Sequence, residues 1–365
     1  MKSAVLVFCI LLSLILPAGL YPDTLQLRSD SVAAMVLGGH PLCRVAEGSL
    51  FRWENGELRP LEGLFSFYTT AQQPLEARFE LSEQASRGEV LRGCFLFSEA
   101  VDRLDCTLQR RGGEPYSTGR GFALDDTGRH WCFLLGIPST AEAGEYFLEI
   151  RAYKGRRFIL CRNTVEIRYR SFRSEEIAFN QTLSELMTKP DPGKIREYQD
   201  LLTLLSAFHS RSIFHEGPLA APIQATRRTS LFADRRLYSY TDGGSSRSLH
   251  NGIDLAAPMG TPVFASGAGR VVLARERIIS GNSVVIEHLP GVFTLYYHLE
   301  DIEVQEGQRL FQGQRIGTVG MTGLATGPHL HWELRVGGVA VDPDVFLDVP
   351  MIDKTIFSHN IIDQN

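Results

Sequence analysis

Between residues 41 and 170 the apolar positions fall in short runs, at 63–69, 77–81, 94–97, 131–135, 146–153 and 158–169, divided by turn-forming residues. Several runs alternate apolar with polar, the period that sends successive side chains to opposite faces of a strand, and their spacing predicts an antiparallel sandwich. The period changes over 172–210, where Ile195, Tyr198, Leu202 and Leu205 recur at helical spacing. Asp191 before Pro192 reads as a cap followed by the first helical position. Two helices broken at 189–193 are expected, forming a hairpin whose apolar stripe packs against a neighbour. From residue 213 onward glycine punctuates six further short runs, at 262–265, 269–274, 283–288, 293–299, 315–319 and 329–336, which predict an antiparallel β domain.

The whole pattern is mainly β, with the helical hairpin as a linker. The boundaries read as 1–20, 21–171, 172–212, 213–348 and a C-terminal tail, 349–365. Ala143-Gly144-Glu145-Tyr146, opening into an alternating run, is similar to the tyrosine-bearing strand entry of immunoglobulin-like domains, so the N-terminal sandwich is expected to be of that kind.

A length of 365 residues suits two or three domains, and 44% hydrophobic with 22% charged residues is ordinary globular composition. A net charge of −5 lacks the basic excess that binding a phosphate backbone needs, so no nucleic-acid partner is expected. Lys2, the apolar run 4–16 and then Pro17, Ala18 and Gly19 have the order of a secretory signal peptide. That run of 13 residues is too short to span a bilayer. Residues 1–20 are therefore expected to direct export to the periplasm or cell envelope, with retention as an N-terminal anchor as the alternative. Cys43, Cys94, Cys106, Cys132 and Cys161 lie in the first half of the chain, where export permits one or two disulfides of open connectivity. No cysteine lies in the second half, so a metal held there would take nitrogen and oxygen ligands.

The second half does hold candidates for such a site. His250 and Asp254 stand four apart, His298 closes Tyr296-Tyr297-His298, and His329 and His331 are two apart on a predicted strand, so they share one face. Two imidazoles and a carboxylate with an open fourth position form the catalytic rather than the structural pattern for zinc. One histidine of the His329/His331 pair is then left beside the metal as a general base, and chemistry alone does not say which. Other motifs fall away. Gly267-Ala268-Gly269 is followed by Arg270 and a strand rather than Gly-Lys-Ser/Thr and a helix, and His215-Glu216 has Leu219 where a zincin needs histidine.

Residues 217–347 resemble the catalytic domain of the lysostaphin/LytM-type zinc metallopeptidases, which cut peptide bonds in bacterial peptidoglycan. The resemblance rests on His250-Asn251-Gly252-Ile253-Asp254-Leu255-Ala256-Ala257-Pro258 with Gly260-Thr261-Pro262-Val263, on Tyr297-His298-Leu299, on Gly313-Gln314-Arg315-Ile316-Gly317 and on Thr326-Gly327-Pro328-His329-Leu330-His331-Trp332-Glu333. It implies Zn2+ ligands at His250, Asp254 and His331 and catalytic histidines at His298 and His329. His329 would be general base for a metal-activated water, and His298 would stabilise the oxyanion. It also implies peptidoglycan stem peptides or cross-bridges as substrate, and leaves the N-terminal domain for positioning or for a cell-envelope protein partner. Phe232-Ala233-Asp234-Arg235 departs from the family's usual Phe-Gly-x-Arg, which puts the backbone path at the groove entrance in question. Tyr238 and Tyr240 are both candidates for a groove tyrosine. The competing functions are a non-catalytic regulator or binding module for a cell-wall hydrolase, and a lipoyl- or biotinyl-type carrier. The carrier reading lacks its acceptor, since no lysine lies between Lys194 and Lys354.

Overall fold

A computed structural model describes residues 77–358 except 111–114 and 156, together with the backbone of strands Gln26–Arg28, Phe51–Glu54, Glu57–Pro60 and Gly63–Tyr68. The expectations for residues 1–20 and Cys43 lie outside the described residues.

The chain is mainly β, as its alternation predicts. In the first half, a seven-stranded sheet is built around Arg103–Arg110, Gly144–Lys154 and Arg157–Arg168, and a four-stranded sheet comprises Phe122–Ala123, His130–Gly136, Val90–Phe97 and Ala77–Leu81. Their facing side chains, among them Leu104, Leu108, Leu148, Ile150 and Ile159 from one sheet and Leu91, Phe95, Phe133 and Leu135 from the other, form a common buried layer. The four-stranded sheet is covered on its second face as well. Val90, Cys94, Cys132 and Leu134 join the core of the C-terminal half together with Val336 and Val341. Burial on both faces explains why 130–136 reads as a continuous apolar run rather than an alternating one.

Cys94 and Cys132 stand directly opposite each other on adjacent strands and form a disulfide. Cys106 and Cys161 are free thiols on either side of Ile150. Burial pushes both thiols up to about 12, so neither is a reactive thiolate at neutral pH.

The helices are Gln181–Thr188 and Pro192–Leu205. The Asn180 side chain accepts the Leu183 N–H, the Asp191 side chain accepts the Gly193 N–H, and Pro192 opens the second helix. Two details differ from the expectation. Residues 174–178 are not helical: Ser174–Ala178 is a strand paired in parallel with Arg235–Ser239, a tertiary pairing that overrides local propensity. Of the predicted stripe only Leu205 is buried, and Ile195, Tyr198 and Leu202 are exposed. The second helix is rotated so that Leu201 and Leu205, four apart on one face, pack on Leu273, Phe293, Leu295 and Tyr297. Burial of each leucine contributes about 1.5–3 kcal/mol.

A ten-stranded sheet dominates the second half, running Arg227–Ser230, Gly252–Ala256, His329–Val336, Val292–Ile302, Gly281–Leu289, Gly269–Arg277 and Arg309–Leu310, with Pro262–Phe264, Arg315–Val319 and Val339–Val341 attached at its sides. All its pairings are antiparallel.

Candidate metal centre

Three neighbouring strands of that sheet carry the polar cluster. Asp254 lies opposite His331 and Ala256 opposite His329, while Tyr297 on the next strand lies opposite His331. Opposed residues in an antiparallel pair project to the same face, so the register alone gathers these groups. His250 arrives from the turn just before Gly252–Ala256. Gly252 permits that approach, because a Cβ there would stand 2.2 Å from the Trp332 carbonyl oxygen.

The outer hydrogen bonds fix the tautomers. His250 Nδ1–H donates to the Leu231 carbonyl at 2.8 Å, and His331 Nε2–H donates to Glu333 Oε1 at 2.9 Å. The inner nitrogens then carry lone pairs. His250 Nε2 is 2.9 Å from His331 Nδ1 and 3.0 Å from Asp254 Oδ1, and the last two atoms are 2.8 Å apart. With both rings neutral, three acceptors thus converge on one point, an arrangement that a cation satisfies and that a packed core has no use for. The nitrogen and oxygen donor set fits zinc. Without a cation the same field attracts a proton. Burial opposes charge on His331, yet the Asp254 and Glu333 carboxylates raise its pKa to about 9. Burial likewise opposes charge on Asp254, but the bonds from His250 and His331 hold its carboxyl well below the usual range.

An outer layer of charge steadies these groups. Arg236 Nη2 donates to Asp254 Oδ2 at 2.6 Å, and its Nε donates to Glu175. Glu333 accepts from Arg335 Nε at 2.7 Å as well as from His331. Burial alone would raise its pKa, but Arg335 and His331 bring it down to about 2. The Tyr297 ring stacks on His331, with centroids 5.5 Å apart and planes at 7°.

The remaining two predicted histidines join the same cluster. His329 Nδ1–H donates to the Gly327 carbonyl and His298 Nδ1–H to the Thr322 carbonyl, each at 2.8 Å, which leaves both Nε2 atoms as acceptors. His329 Nε2 is 3.7 Å from Asp254 Oδ1, and the two rings are 4.8 Å apart. Burial lowers both pKa values, that of His298 to about 3 with the neighbouring His329 and His331 adding to the effect. His298 also has a φ of 61°, a left-handed conformation that a histidine holds only when its surroundings enforce it. Asp254, His298, His329 and His331 line one cleft with Glu175, Arg236 and Tyr238. Tyr240 bonds instead to the Ser246 hydroxyl.

Ala233, the departure from Phe-Gly-x-Arg, has a φ of 61°. The backbone thus follows a path suited to glycine with alanine in place. Arg236, Glu333, Glu175 and Tyr297 were not singled out in the sequence. Glu333 was within reach, since it stands two residues beyond His331 and alternation puts both on one face. Glu175 was not, because its stretch reads as helical.

The profile of Peptidase family M23 matches residues 248–343, the segment that holds all five of these residues. This segment is a peptidase family M23 domain. The chain is 48% identical over 116 residues to the peptidoglycan DD-endopeptidase ShyA of Vibrio cholerae, an alignment that covers 32% of this chain and 26% of that protein. It is 46% identical over 114 residues to the DD-carboxypeptidase/endopeptidase Mpg of Neisseria meningitidis, covering 30% of this chain and 26% of the relative. The chain therefore spans about a quarter of the length of these curated relatives. A crystal structure of a peptidase M23 protein from Pseudomonas aeruginosa aligns with a TM-score of 0.49 at 25% identity, over 72% of this chain and 95% of that one.

Proposed function

We propose that the protein is an exported, zinc-dependent endopeptidase that hydrolyses peptide cross-links of bacterial peptidoglycan. The observation that carries this reading is the convergence of His250 Nε2, Asp254 Oδ1 and His331 Nδ1, each within 3.0 Å of the other two, beside two further imidazoles whose Nδ1–H groups are bound to backbone carbonyls. The peptidoglycan endopeptidase names of the relatives supply the substrate class.

In this reading His250 Nε2, Asp254 Oδ1 and His331 Nδ1 hold the cation. Bound there, a zinc ion would supply Lewis-acid activation of water and polarisation of the scissile carbonyl. His329 is the general base: its Nε2 is a lone-pair acceptor next to the ligand set, and burial keeps the ring neutral and ready to take a proton. The imidazolium formed on His329 returns that proton to the leaving amine. His298 presents an acceptor to the cleft while its Nδ1–H is held by Thr322, so it donates to an oxyanion only after it has itself gained a proton. Tyr238, on the cleft wall, is the groove tyrosine of choice.

The same reading assigns residues 1–20 to export and 21–171 to an immunoglobulin-like sandwich. The Tyr146 hydroxyl, which donates to the Glu142 carbonyl four residues upstream at 2.9 Å, supports the second assignment. Residues 172–212 are the linker and 213–348 the catalytic domain.

Digestion of purified peptidoglycan, with and without chelator and with zinc restored, tests the proposal, and mass spectrometry of the released muropeptides identifies the bond. Release that chelator stops and zinc restores is expected. Absence of released peptides under every metal condition would instead favour a non-catalytic binding module.

A further inference from the structure

Strand Ser174–Ala178 precedes the segment that matches the M23 profile, yet it forms one wall of the cleft. Its parallel pairing with Arg235–Ser239 sets Glu175 beside Arg236 and Ile177 beside Tyr238. All four line the cleft together with Asp254. Arg236 connects the two carboxylates, donating from Nη2 to Asp254 Oδ2 and from Nε to Glu175. The Ser230 hydroxyl, on the strand residue opposite Asp254, donates to both Glu175 oxygens at 3.2 Å. Only 12% of the Arg236 side chain and 9% of that of Asp254 are exposed, so solvent screens this contact little.

The charge count gives Glu175 a task. Asp254 turns Oδ1 to the two imidazoles and leaves Oδ2 to Arg236. A guanidinium with no counter-charge at that distance competes for the carboxylate and repels any cation bound to it. Glu175 neutralises Arg236 and fixes its plane, so the arginine orients Asp254 without opposing the metal. Resting on the zinc reading above, we propose that Glu175 is a positioning residue of the metal centre. It acts through Arg236 to hold Asp254 Oδ1 toward His250 and His331. The linker is then part of the centre rather than a tether to it, and coupling between cation and linker runs both ways.

The test is zinc affinity of the full-length protein, by competition with a chelator of known affinity, for the parent, E175A, E175Q, E175D, R236Q and the E175A/R236Q pair. Loss of such an outer partner weakens metal binding by about 10–100-fold. E175A and E175Q are expected to fall in that range, E175D to recover most of the affinity, and the double variant to bind no more weakly than R236Q alone, since both act along one path. A residue with a merely structural role would lower the melting temperature and leave affinity unmoved. E175Q, which keeps the side-chain shape, decides the matter if E175A does not fold. Affinities of E175A and E175Q within twofold of the parent overturn the proposal. A parent that binds no zinc overturns the zinc reading itself, and this inference with it.

Discussion

In the N-terminal sheets the buried charges close on one another. Arg162 and Arg151 both donate to Glu149, so each acceptor there meets a donor, and the core beneath is hydrocarbon. Around His331 the balance is different: His250 and His331 spend their ring donors outward on Leu231 and Glu333, and, with both rings neutral, turn their second nitrogens toward the Asp254 carboxylate as a group of three acceptors. Both regions are largely antiparallel β structure with dense apolar packing, so fold class does not account for the contrast. Packing selects complementary polar pairs, whereas a surplus of one kind, held in place by the fold, marks a position reserved for a ligand.

Substitution separates the regions most sharply. His331→Ala removes one of the three converging ligand atoms and is expected to abolish both bound zinc, measured as metal content, and peptide release. His329→Ala keeps all three, so it retains the metal while turnover falls by about 10²–10⁴-fold; undiminished turnover in that variant would reverse the roles assigned to the pair. Leu148→Ala, in the N-terminal core, acts through neither route. It costs about 2–5 kcal/mol in a denaturation experiment and leaves zinc content unchanged, provided the two regions do differ as described.

Acid and base sharpen the same contrast. Among the described residues no histidine of the N-terminal sheets is buried, whereas His288 and His298 are buried in the C-terminal sheet with pKa values lowered by burial to about 4 and about 3. Between the unfolded value near 6.5 and those folded values, the unfolded chain binds protons that the native state refuses, so stability falls as pH drops through that window. His331 has the opposite sign in chelator-treated protein. Its pKa is raised to about 9, so its contribution is complete below about 6.5 and is lost as pH rises through 9. The melting temperature of chelator-treated protein is therefore expected to peak near pH 6.5 and decline on both sides. A flat profile from pH 9 to 4 would mean that these rings contribute nothing to folding.

Much of this was legible before any coordinates. The pairing of His329 with His331 followed from strand alternation, and the runs at 77–81, 315–319 and 329–336 coincide with observed strands, because period-two patterning is a local signal. The strand Gly252–Ala256, which carries Asp254, escaped notice. Buried on nearly every side, it lacks alternation, and five residues are too few to announce themselves by other means. Glu175 was hidden for a different reason: its strand exists only by pairing with Arg235–Ser239, some sixty residues away, and no local pattern encodes a parallel partner. The stripe Ile195, Tyr198 and Leu202 misled because periodicity fixes a helix and its spacing, not which face the tertiary fold presses against the sheet.

The smallest expected effect concerns Ala233, where the sequence departs from the family pattern. Its N–H donates to the His250 carbonyl at 2.7 Å, and the His250 N–H donates to the Asp234 carbonyl at 3.0 Å, so the turn is tied by main-chain bonds to the first residue of the centre. A left-handed φ costs an L-residue about 1–2 kcal/mol, which Ala233→Gly would relieve. The gain is largely offset by the greater freedom of glycine in the unfolded chain, about 0.4–1 kcal/mol, and by loss of a buried methyl group. A stabilisation of at most about 1 kcal/mol is expected in chemical denaturation, with zinc affinity unchanged. Ala233→Val, β-branched at positive φ, tests the converse: if the main-chain path of this turn sets His250, the forced change must lower stability and zinc affinity together. A loss of stability with affinity intact would show that His250 is held by its bond to Leu231 and not by the turn.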